Sequence, residues 1–172
     1  MSTTFRVFDT IRGTLGLVAS SRGLRRVYLP QADADALRRT IQTAYSDAIE
    51  DDALLPELAD QFQRYFAGER VAFDARLDWS GHTTFEIDVW RACAEIPYGV
   101  TGSYKDIAER LGRPGGARAV GLAMAHNPWP IVVPCHRVCK SDGGLGGYSG
   151  PGGIDFKQQL LELEAATPAS AG

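Results

Sequence analysis

The stretch of this sequence best suited to nucleophilic chemistry is Cys135-His136-Arg137, which follows the apolar run Ile131 to Val133. A free thiol with a pKa of about 8.5 is only about 3% ionised at pH 7, so a nucleophilic cysteine needs a base or a positive charge beside it. His136 and Arg137 are the adjacent candidates. Neighbouring side chains on an extended segment point apart, however, so adjacency in sequence does not establish contact. A buried cysteine acting as a small hydrophobe, beside a core histidine with its hydrogen bonds satisfied, fits the same letters. The residues alone leave both readings open.

The elements that must position this stretch are read from periodicity. Ala34 to Ile49 reads as a helix, and Leu54, Leu55, Leu58, Phe62, Tyr65 and Phe66 recur at helical spacing until Gly68 stops them. Before them, Phe5 to Phe8, Leu15 to Ala19 and Leu24 to Leu29 are short strand-like runs divided by Arg12-Gly13 and Arg22-Gly23, the pattern of an antiparallel meander. Val71 to Leu77 reads as a further strand, and Trp79-Ser80-Gly81-His82 as a linker. Thr83 and Glu86 form a capping box for a helix whose buried stripe is Phe85, Val89, Cys93 and Ile96.

Ser103 is placed to cap a helix through Leu111, and after the turn Gly112-Arg113-Pro114-Gly115-Gly116 a second helix of small residues spans Ala117 to Ala125. Two short helices across a glycine-rich turn have the form of a helix-turn-helix, which also occurs as a plain packing unit. A strand at Ile131 to Val133, a Gly-rich hairpin from Asp142 to Tyr148 and a last helix to about Glu164 complete the expected order.

Charge bears on partners. The formal net charge of -3 argues against a protein that grips phosphates everywhere. Between Thr101 and Lys140, however, six bases face two acids, a local +4, while acids gather from Asp47 to Asp60. From charge alone this stretch is equally an ordinary solvated face. The three cysteines, Cys93, Cys135 and Cys139, have no metal-like spacing, so neither a zinc site nor a disulfide framework is expected. No apolar run approaches the roughly 20 residues that cross a bilayer, and a cytoplasmic protein is expected.

Taken together, the runs Asn127-Pro-x-Pro-Ile-Val-Val-Pro-Cys-His-Arg-Val138, Gly147-Tyr148-Ser149-Gly150, Ile96-Pro-Tyr-Gly-x-x-x-Ser-Tyr104 and Ala117-Arg-Ala-Val-Gly121 resemble the O6-alkylguanine-DNA alkyltransferase family. The resemblance covers about Phe85 to Glu164. It implies an α+β fold, with a small N-terminal antiparallel sheet and helices (ribonuclease H-like) in 1-80, a winged helix-turn-helix domain in 83-165 and a disordered tail in 166-172.

It also implies an activity and a site. An alkyl group on the O6 of guanine, or the O4 of thymine, in double-stranded DNA would pass irreversibly to Cys135, once per molecule and without a cofactor or metal. His136 would act through a water as base, oriented by Glu164, while Asn127 braces the turn and Tyr104 gives a proton to the leaving guanine. Arg118 would enter the stack where the base was flipped out. Ser103, Ala117, Ala119 and Gly121 would accompany it in the minor groove, where small residues fit. The carbonyls of Cys135 and Val138 would receive the guanine amine, Tyr148 would cover the pocket, and the backbone of Ser149 would reach the guanine oxygen. No protein partner and no membrane are implied. Relatives that only bind lesions lack the reactive cysteine, which this chain has. A helix-turn-helix regulator or a cysteine hydrolase would need further domains or an oxyanion arrangement that the sequence does not suggest.

Overall fold

The computed structural model describes residues 2-148, 150 and 152-168. The backbone clusters into two units, one ending at Trp79 and the other beginning at Ser80.

In the first unit β1 (Thr4–Thr10), β2 (Gly13–Ser20) and β3 (Gly23–Gln31) form the expected antiparallel meander. The helix expected over Ala34 to Ile49 stops early. As α1 (Ala34–Ala44) it ends at Tyr45. The freed residues form β4 (Ile49–Glu50), which joins β1 in parallel register, Thr4 to Ile49 and Phe5 to Glu50. The sheet is therefore mixed, in the order β3-β2-β1-β4, rather than purely antiparallel. Asp33 caps α1 through its side chain, and Leu37 and Ile41 on one face of the helix pack with Phe5, Val7 and Val18. Each such aliphatic side chain contributes roughly 1.5–3 kcal/mol on burial.

On α2 (Pro56–Phe66) the buried Phe62, Tyr65 and Phe66 meet, and Phe73 packs against Phe62 and Tyr65. The strand expected at Val71 to Leu77 shrinks to a single bridge between Leu24 and Leu77. Two backbone hydrogen bonds, Leu24 to Arg76 and Asp78 to Leu24, close it. Asp78 is then held by the Ser20 hydroxyl at 2.6 Å.

The second unit begins with α3 (Thr84–Ala94), under the Thr83/Glu86 capping box read from the sequence. The helix-turn-helix consists of α4 (Tyr104–Arg110), capped by Ser103, and α5 (Ala117–Ala125). Trp90 Nε1 donates to the Ala123 carbonyl at 2.9 Å, and Trp90 meets Trp129 edge to face at 5.4 Å, so α3 carries α5 and the loop beyond it. Ahead of α4, β5 (Gly102–Ser103) pairs in parallel with β6 (Val138–Cys139).

Three expectations fail here. Ile131 to Val133 is not a strand: Pro128, Pro130 and Pro134 remove ladder donors, and Ile131 adopts φ 76. That angle is an outlier for a β-branched residue. Asp142 to Tyr148 has no strands, only a turn in which Lys140 N donates to Gly144 O. Lastly, residues 166 and 167 do not belong to a disordered tail. α6 (Gly153–Ala166) runs past Glu164, and the Thr167 hydroxyl bonds Leu163 O and Tyr98 Oη, each at 2.9 Å, which ties down the helix end. Residues 169-172 of that expected tail lie outside the described residues. No helix among the described residues is long and apolar enough to cross a membrane.

Candidate active site

Cys135 opens a single 3-10 turn, Cys135–Arg137, fastened by Cys135 N to Val133 O, Arg137 N to Pro134 O and Val138 N to Cys135 O. With Pro128, Pro130 and Pro134 lacking backbone donors, the segment before it is braced by a side chain as well. Asn127 Nδ2 donates to Val133 O at 2.8 Å while its Oδ1 accepts from Trp129 N at 3.0 Å, replacing the missing ladder. The Asn127 side chain also acts on the Cys135 thiol, favouring its ionised form.

Beneath this turn lies a buried polar cluster. His136 Nε2 stands 2.5 Å from Glu164 Oε2, and both side chains are shielded from solvent. A carboxylate only accepts, so Nε2 carries the hydrogen and Nδ1 is the basic nitrogen. Arg137 grips the same carboxylate through Nε at 2.8 Å and Nη2 at 3.2 Å, and its Nη1 donates to Ile96 O. Gly99 N adds a fourth donor to Glu164 at 3.0 Å. Arg137, a sequence candidate for stabilising a thiolate, is thus committed to Glu164.

The cluster sets the protonation states. Burial lowers the His136 pKa, more than the Glu164 carboxylate raises it, so the imidazole is neutral at pH 7. Burial likewise pushes the Cys135 thiol up, opposed by the Asn127 side chain and the Lys157 charge. The resting residue is therefore a thiol with a neutral base beside it in sequence, not a preformed thiolate.

Lys157, unnoticed in the sequence, is fully buried on α6. Its Nζ donates to Val138 O at 2.6 Å and Leu145 O at 2.5 Å, and lies 3.4 Å from both Gly147 O and Tyr104 Oη. A periodic signal was available: Lys157, Leu160 and Glu164 fall at i, i+3 and i+7, one stripe of one helix, and all three are buried. Tyr104, at the start of α4, has its pKa pushed up to about 12, first by burial and then by neighbouring cysteine charges.

A cavity of about 770 Å³ opens over Cys135. Tyr104, Tyr148, Ala117, Arg118 and Gly121 share its wall, bringing together residues from α4, α5 and the loop before α6. Ala119 is exposed on α5 but is not part of that wall. Ser103 is buried, its hydroxyl spent on capping α4 at Asp106 N. The carbonyls of Cys135 and Val138, expected to receive a guanine amine, already accept from Val138 N and Lys157 respectively. Ser149 lies outside the described residues. Among the described residues no cluster of His, Cys, Asp or Glu is arranged to hold a metal.

Comparison with known proteins decides the family. Residues 84-166 match the DNA binding domain and residues 4-79 the ribonuclease-like domain of 6-O-methylguanine DNA methyltransferase. The chain belongs to the 6-O-methylguanine DNA methyltransferase family. A methylated-DNA--protein-cysteine methyltransferase of Mycobacterium tuberculosis is 42% identical over 93% of this chain and 91% of its own. One from Methanosarcina acetivorans is 38% identical over 94% and 98%. The crystal structure of Mycobacterium tuberculosis OGT in complex with DNA superposes with a TM-score of 0.80, at 41% identity over 97% of this chain and 96% of that one. As in that two-part family, a ribonuclease-like unit precedes the DNA-binding one, and the polar cluster and the cavity both lie in the segment matched to the DNA-binding domain.

Proposed function

We propose that this protein repairs double-stranded DNA by moving the alkyl group of O6-alkylguanine, and of O4-alkylthymine, onto Cys135. The observation that carries the reading is the Cys135 turn set between the His136-Glu164-Arg137 cluster and a cavity walled by Tyr104 and Arg118. In this reading neutral His136 takes the thiol proton through a water, and Glu164 stabilises the imidazolium that forms. The thiolate attacks the alkyl carbon, the C–O bond breaks, and Tyr104 supplies a proton to the departing guanine. The Lys157 ammonium at 3.4 Å from Tyr104 Oη favours the phenolate left behind.

The base must leave the stack to reach Cys135, at a cost of a few kcal/mol. Arg118, exposed near the start of α5 and on the cavity wall, is suited to fill the gap from the minor groove, beside the small Ala117, Ala119 and Gly121. A thioether is not reversed by thiol exchange, so each molecule acts once.

Incubation with a duplex containing O6-methylguanine, followed by intact and peptide mass measurement, tests this. One methyl on the Cys135 peptide, and none in Cys135→Ser, is expected. A methyl found elsewhere would remove Cys135 from the reaction.

A further inference from the structure

Two phenols wall the cavity above Cys135, and they are not equivalent. Tyr104 Oη has Lys157 Nζ beside it. The Tyr148 hydroxyl oxygen is shielded from solvent and has no hydrogen-bond partner among the described residues. Buried hydroxyls are nearly always paired, so an unpaired one needs an explanation. Its ring is packed against Phe156, with centroids 6.2 Å apart, and so has a partner for its apolar part only.

We infer that the Tyr148 hydroxyl is a catalytic hydrogen-bond donor to the oxygen that leaves the alkyl carbon. The inference rests on the reading of Cys135 as the alkyl acceptor. In an in-line displacement the Sγ–C bond forms as the C–O6 bond breaks, and that bond's electron pair moves onto the guanine oxygen and ring. Charge grows at an atom one bond beyond the carbon under attack. Tyr148 is placed for this: it lines the same cavity as Cys135, and its buried hydroxyl makes no hydrogen bond to the sulfur or to any other described group. Burial and the charge of a Cys135 thiolate push its pKa well above the usual tyrosine value, so the group keeps its proton and can only lend it. No net proton transfer at Tyr148 is involved: the thiol proton departs through His136, and the guanine receives its proton from Tyr104. A neutral donor held in place against developing charge in a water-poor site is an effective form of transition-state stabilisation.

The test compares two methyl donors on wild type and Tyr148→Phe. One is an oligonucleotide carrying O6-methylguanine, whose oxygen needs a donor as it leaves. The other is methyl iodide, whose iodide does not. Methyl on the Cys135 peptide is followed by mass for both. Tyr148→Phe is expected to slow transfer from the oligonucleotide by roughly tenfold to a hundredfold, at or below the range for losing one oxyanion donor. Its rate with methyl iodide should stay within about twofold of wild type, and its thermal midpoint should not fall, because an unpaired hydroxyl is removed. Equal oligonucleotide rates would overturn the inference. So would equal losses with both donors, which would place the hydroxyl's action on the thiol, or a failure of the variant to fold, which would make it structural. A wild-type protein that takes no methyl at Cys135 would defeat the underlying reading instead.

Discussion

His136 Nε2 and Glu164 Oε2 lie 2.5 Å apart across 28 residues of sequence, and the same carboxylate is gripped from its other oxygen by Arg137 Nε at 2.8 Å. The glutamate therefore has two tasks, orienting an imidazole and neutralising a buried guanidinium. Glu164→Gln preserves shape but leaves Arg137 without its counter-charge, and breaking a buried pair from one side costs about 3–5 kcal/mol. A large fall in the denaturant midpoint is expected along with slower transfer. Adding Arg137→Met should restore much of the stability while leaving transfer slow. Recovery of both together would show that Glu164 serves only to balance Arg137.

The raised Cys135 pKa and lowered His136 pKa give a pH dependence with a definite sign. Transfer should climb as pH rises through the depressed His136 pKa, below 6.5, and then stay level until the thiol itself ionises above its usual value near 9, because the reacting form pairs a neutral His136 with a protonated thiol. Stability should move oppositely at the two ends. His136, depressed below 6.5, binds protons more readily when unfolded, so stability is lost as pH falls through and below that value. Cys135, raised in the fold, loses its contribution as pH rises past 9. Denaturation series from pH 5 to 10 and single-turnover rates over the same range check both; a rate that climbs about tenfold per pH unit from 7 to 9 would show that the thiolate forms without His136 as its base.

The helix starts of the second unit were legible in sequence because caps are local. Thr83 with Glu86, and Ser103 before Tyr104, fix where helices start without help from distant residues. The turn of Cys135 was not legible as a turn. An apolar Ile-Val-Val run has strand periodicity, and only the pattern of prolines and the Asn127 amide, six residues away, override it. β4 was missed for the same reason, since Ile49 is recruited by pairing with Thr4, far away in sequence. Lys157 was hidden because a lone lysine is normally solvated; its role depends on carbonyls contributed by residues 10 to 19 positions earlier.

Lys157 holds Val138 and Leu145 from inside, so the loop between them depends on a buried ammonium rather than on strand pairing. Lys157→Met fills similar space but leaves those carbonyls without their donor, a penalty of about 1–3 kcal/mol for each. Trypsin should then cut after the neighbouring Lys140 many times faster than in wild type, and methyl transfer should fall. Unchanged cleavage kinetics would show that the loop is held by other contacts.

Arg118→Ala separates flipping from chemistry. If Arg118 replaces the extruded base, its loss should slow repair of duplex DNA by roughly the few kcal/mol of stacking it offsets, a hundredfold or so. Attack on free O6-methylguanine, which needs no flipping, should change little. Equal losses on the duplex and the free base would argue that the arginine acts within the pocket.

The last expectation concerns Gly146 and Tyr104. Gly146 adopts φ 75, and a Cβ built on it would lie 2.6 Å from Tyr104 Oη and 2.8 Å from Tyr104 Cε2. Two penalties are thus combined in Gly146→Ala: a left-handed backbone, worth about 1–2 kcal/mol for a residue with a Cβ, and a collision with the ring. Tyr104 is confined, with Lys157 Nζ 3.4 Å from its hydroxyl and the Gly121 site on α5 facing its ring. It cannot yield without leaving its place above Cys135. Transfer by Gly146→Ala should therefore fall about as far as in Tyr104→Phe, although its own tyrosine hydroxyl is intact. Stability discriminates the two penalties. In a Tyr104→Ala background the collision is gone, and Gly146→Ala should cost only the backbone part, so the two substitutions should be markedly less than additive in urea midpoints. Strict additivity, with normal transfer in the single variant, would mean that the loop shifts freely and that Gly146 does not hold Tyr104 in place.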